Sequence, residues 1–76
     1  MAGGETQCIV TFATTSDAMA VQNASLAGAV PGRMVPVPAR ISAGCGLAWS
    51  VPSGQRDELL AALAREGLAY EAMHEL

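Results

Sequence analysis

The chain has no lysine, and Arg33, Arg40, Arg56 and Arg65 are its only cations against seven acidic residues, which leaves a net charge of −3. A nucleic-acid binder needs a basic face to neutralise phosphates, and four scattered arginines do not build one, so no nucleic-acid partner is expected. Aromatics are nearly as scarce: Phe12, Trp49 and Tyr70 are the only three. Although 51% of the residues are hydrophobic, much of that share is alanine, and the predicted core is thin. With one histidine, His74, no site of several imidazoles can be assembled. The two cysteines, Cys8 and Cys45, are too few and too far apart for the disulfide framework of a secreted mini-protein, so a reducing, cytoplasmic setting fits better. The longest apolar run, residues 59–64, falls far short of a membrane span, and the first residues lack the basic and apolar regions of a signal peptide. No membrane association is expected. Seventy-six residues suit a single small domain, here assigned to 7–76 behind a flexible start at 1–6.

Residues 7–12 are rich in β-branched and aromatic side chains and predict a strand. Thr14 and Asp17 stand at capping-box spacing and open a helix that Gly28 and Pro31 should end, with Ala18, Met19, Val21 and Leu26 on its inner side. Residues 33–37 predict a second strand, which Pro36 and Pro38 confine to a sheet edge because proline cannot donate to a ladder. A third strand is expected over 46–51. A second helix follows, with Leu59, Leu60 and Leu63 on its apolar face and its end at Glu66 and Gly67. Residues 68–76 alternate as a last strand, with Leu68, Tyr70, Ala72, His74 and Leu76 expected to face the core and Glu71, Met73 and Glu75 the solvent. The order of elements is that of an α+β, ferredoxin-like βαββαβ sandwich: a four-stranded antiparallel sheet with both helices on one face.

Among side chains that carry chemistry, Cys45 is singled out by its flanking glycines, Gly44 and Gly46, on backbone that can turn sharply and approach another molecule closely. The alternative is a packed thiol, since free cysteine is among the most buried residue types. Cys8 lies within the first strand on the face of Val10 and Phe12 and is expected to be buried, at the opposite end of the sheet from Cys45. Arg40, five residues before Cys45 in the same loop, is either a cation able to favour thiolate or hold an anionic group, or a surface anchor for the loop. Trp49 shares a strand face with Leu47 and Val51 and reads as core or interface area. His74 is expected to be a satisfied core or edge histidine. Glu71 and Glu75 read as a solvated face, not a catalytic pair, and no metal site or cofactor is predicted.

The run Val35-Pro36-Val37-Pro38-Ala39-Arg40-Ile41-Ser42-Ala43-Gly44-Cys45-Gly46-Leu47-Ala48 resembles the selenium/sulfur carrier-like proteins, small bacterial domains. The Pro-x-Pro, the Arg, the Ile-Ser and the Cys-Gly-Leu-Ala all stand as that family has them, and the likeness extends over nearly the whole chain. It implies a carrier or accessory protein in which Cys45 takes up sulfur or selenium as a persulfide or selenopersulfide, with Arg40, Ser42, Gly44 and Gly46 as binding residues around it. The implied partner is a cysteine desulfurase or another selenium/sulfur-transfer protein. The competing expectation is a small non-enzymatic binding or regulatory module acting through its open sheet face, where an apolar patch containing Trp49 would form a homo-oligomer or hold a ligand.

Overall fold

The computed structural model describes residues 6–41 and 44–76; the assignment of a flexible start therefore falls outside them, apart from Thr6. Thr6 is hydrogen-bonded to Ser53 through side chain and backbone. The elements follow in the order β1 (Gln7–Thr11), α1 (Thr15–Leu26), β2 (Arg33–Pro36), β3 (Leu47–Pro52), a 3-10 turn (Ser53–Gln55), α2 (Arg56–Arg65) and β4 (Ala72–Glu75). The strands form one antiparallel-paired sheet in the order β2-β3-β1-β4, so each β-helix-β unit skips over one strand and the fold is ferredoxin-like. As the prolines require, β2 is an edge.

Both helices end where their glycines turn the chain. Gly28 and Gly67 take positive φ of 85° and 67°, and at each end the next two N–H groups bond back into the last turn: Gly28 to Ser25 and Ala29 to Ala24, Gly67 to Ala64 and Leu68 to Leu63. This double bond is the Schellman stop, and a residue without Cβ favours it. At its start α1 is capped by Thr14, whose side chain accepts the Asp17 N–H at 3.1 Å.

One face of the sheet packs on the helices. Cys8, Val10 and Phe12 of the first strand and its extension, Trp49 and Val51 of β3, Ala18 and Val21 of α1, and Leu59, Ala62 and Leu63 of α2 form a single buried cluster. Met19 and Leu26 do not join it, being 41% and 78% exposed, which corrects the expected inner face of α1. Ala18 and Val21 line that face, with Ala24 packed beside them. Leu60 is only half-buried. Gly32, with φ of 106°, brings backbone so near Trp49, Val51 and the Ser50 carbonyl that a Cβ would overlap all three. The indole Nε1 donates to Pro31 C=O at 2.7 Å, tying the same turn to β3.

The orientation of β4 is the reverse of the expected one. Met73 pairs with Val10 and packs against the core, whereas His74 pairs with Ile9 on the face away from the helices. Directly paired residues of antiparallel strands share a face, so His74 and Ala72 point away from the core. Leu68 does reach the core, but from the irregular lead-in before β4, and Tyr70 in that lead-in is 43% exposed.

Candidate functional site

The loop from β2 to β3 occupies the end of the sheet where β1 finishes and β4 begins. Its return is anchored by Val37 N–H donating to Gly46 C=O at 3.1 Å, an extension of the β2–β3 ladder, and its outbound limb turns at Pro38–Ile41 through an Ile41 N–H to Pro38 C=O bond of 2.9 Å. Gly44 lies against β1's extension so closely that a Cβ there would stand 2.7 Å from the Ala13 carbonyl oxygen. That contact accounts for a glycine at 44. Gly46 has no such constraint: the space about it is open and its φ is not positive, so the expected backbone demand for glycine holds at 44 and not at 46.

Cys45 is a free thiol, half-buried, and packs its side chain against the edge of the core. Its Sγ accepts the Leu47 N–H at 3.3 Å and is placed to donate to the Leu47 carbonyl at 3.6 Å. The sulfur therefore folds back on the first residue of β3 and is held by backbone alone. Cys8 contrasts with it in burial and in place. It is free but wholly buried, and burial pushes its thiol above the ordinary value, with the positive charge of Arg56 opposing and the negative charge of Glu75 adding to the rise. Cys8 pairs with Val51, and the four strand positions from Leu47 to Val51 alone span about 13 Å. As expected, the two thiols lie at opposite ends of the sheet, beyond the reach of a disulfide.

Arg40 is exposed in the 38–41 turn and, among the described residues, makes no ion pair and no hydrogen bond to the Cys45 sulfur. Ser42 lies outside the described residues. Glu71 is not on β4 with Glu75; it precedes the strand, and its carboxylate reaches across to accept the Gly44 N–H at 3.3 Å. That contact had no local signal, since the partners are 27 positions apart. His74 Nε2 is buried with no hydrogen-bond partner among the described residues, contrary to the satisfied histidine expected. Among the described residues no three His, Cys, Asp or Glu side chains come together as a metal ion would require, and no helix is long and apolar enough to cross a membrane.

Trp49 is 2% exposed and faces the helices, so an open-face patch containing it does not exist. On the opposite face Ile9, Thr11, Ala48 and Ser50 are themselves 6% exposed or less, which leaves little apolar area at the middle of that surface.

Residues 7–75 match the family described as "Putative Se/S carrier protein-like". The chain belongs to that family. No curated protein and no solved structure matches it. The match takes in β1 through β4 and the whole Cys45 loop, so the loop is read within the selenium/sulfur carrier-like family and not as an isolated cysteine.

Proposed function

We propose that Cys45 is the carrying residue, accepting one sulfur or selenium atom from a donor enzyme and handing it to an acceptor. In the loading step the Cys45 thiolate attacks the terminal sulfur of the donor's persulfide. The new S–S bond forms on Cys45, the donor's S–S bond breaks, and its electron pair leaves on the donor thiolate; the Cys45 proton passes to solvent or to a donor base, and no oxidant is consumed. Selenium would follow the same course, giving a selenopersulfide. The donor is a cysteine desulfurase or a related transfer protein, and the exposed Arg40 offers it a cation from the same loop.

The observation that carries this reading is the separation of the two thiols. A persulfide survives only where no second thiol can attack it, and Cys8 is fully buried at the far end of the sheet. Incubation with a cysteine desulfurase and cysteine should add the mass of one sulfur, removable by dithiothreitol, to the wild type and to Cys8→Ser but not to Cys45→Ser. Loading of Cys45→Ser at the wild-type level would end the proposal, and so would a wild type that no desulfurase loads.

A further inference from the structure

Among the described residues, Glu71 is the only side chain outside the β2–β3 loop that hydrogen-bonds to it. Its own place is well defined. The Glu71 N–H donates to Thr11 C=O at 2.7 Å, and Thr11, wholly buried, donates through Oγ1 to the Ala72 carbonyl at 3.4 Å. The carboxylate therefore extends from backbone that is hydrogen-bonded to the end of β1, one residue before β4. Gly44 is held from two directions, by the Ala13 carbonyl within van der Waals reach and by the Glu71 oxygen on its N–H. The residue that follows is Cys45, whose sulfur bonds to Leu47.

We propose that Glu71 is the positioning residue of the Cys45 loop: its carboxylate holds Gly44 and so keeps the thiol in one orientation on the backbone of Leu47. Only the consequence for transfer rests on the carrier reading; the positioning itself does not. An exposed hydrogen bond to a carboxylate favours the bonded arrangement by about fivefold over the released one. When Glu71 is removed, a protein partner meets a loop that is correctly arranged for a smaller fraction of the time, and its apparent affinity falls by that fraction. A small reagent responds in the opposite sense, because a sulfur released from Leu47 is easier to reach.

The test uses the whole chain as wild type, Glu71→Ala and Glu71→Gln, the last retaining an oxygen acceptor on a side chain of equal length. In Glu71→Ala the Gly44 amide should exchange with solvent about threefold faster, as the released fraction rises from about one-sixth to about one-half, and iodoacetamide should alkylate Cys45 faster by a similar factor, with Cys8 still protected. Glu71→Gln should return both rates most of the way. With a desulfurase as donor, KM for Glu71→Ala should rise about 1.7-fold at unchanged kcat, as the correctly arranged fraction falls from about five-sixths to about one-half. Unchanged exchange and alkylation in Glu71→Ala would overturn the proposal, as would simultaneous labelling of Cys8, which would mean that Glu71 supports the whole fold. If exchange and alkylation change as stated while no variant is loaded, Glu71 keeps its role and the carrier reading fails.

Discussion

Cys8, on β1, and Cys45, two residues before the neighbouring β3, are both free thiols, yet they are held in opposite ways. Cys8 is wholly buried within the cluster that joins the sheet to the helices, at the far end of the sheet, and its position is dictated by what must be kept from water. Cys45 stands just before β3, at a sheet end built from a close backbone approach at Ala13 and a few hydrogen bonds. In this small fold the buried thiol and the loop thiol are thus kept apart along the strand axis, and a thiol's exposure follows from which end it occupies. The remaining expectations test how sharp that division is.

The largest effect should be in thiol labelling of the folded protein. Cys45 should react on the order of 10³-fold faster than Cys8, because a reagent reaches a fully buried thiol only through an unfolding event. Mass spectrometry of partially labelled protein would give both rates, and faster reaction at Cys8 would invert the assignment. Next comes Leu59→Ala, which removes a fully buried side chain from the cluster that contains Cys8. A loss of about 2–5 kcal/mol in stability is expected, so Cys8 labelling should accelerate by about thirtyfold or more while Cys45 keeps its rate. Denaturant titration beside the labelling assay would check both, and equal acceleration at the two thiols would show that they are not independent.

The smallest effect is a pH dependence. Because burial raises the Cys8 thiol in the folded state, the unfolded chain ionises first, near the ordinary value of 9.0. The contribution of Cys8 to stability is therefore complete below that pH and is lost as the pH rises through the folded value, by no more than about 1.4 kcal/mol per pH unit. Cys8→Ala should show a flatter decline in stability above pH 9 than the wild type, in denaturant midpoints measured at several alkaline pH values. Identical slopes would mean that Cys8 does not titrate with unfolding.

The division between core and loop also explains what could be read from the sequence. The order of elements, the glycine stops of both helices and the edge position of the proline-bearing β2 were legible because each depends on residues adjacent in the chain. On α1 spacing groups Ala18, Met19, Val21 and Leu26 on one broad side, but the face that meets the core is narrower: Ala18 and Val21 are buried, while Met19 and Leu26 are exposed. On β4, alternation was assumed from residue 68 onward, but the strand begins only at Ala72 and Met73 alone supplies its core contact. At the candidate site Cys45 and its flanking glycines are visible as a motif, but the contact of Gly44 with Ala13 is not. Nor is its bond to the Glu71 carboxylate, since only the folded sheet brings residue 71 to residue 44.

Gly46, next to the thiol, has open space where a side chain would extend and a backbone conformation that any L-residue can adopt. It is thus a place to install a reporter. A photoactivatable amino acid at that position would sit one peptide bond from Cys45 without disturbing the Gly44 contact or the Leu47 hydrogen bonds, and would become covalently attached to whatever protein surface closes over the loop.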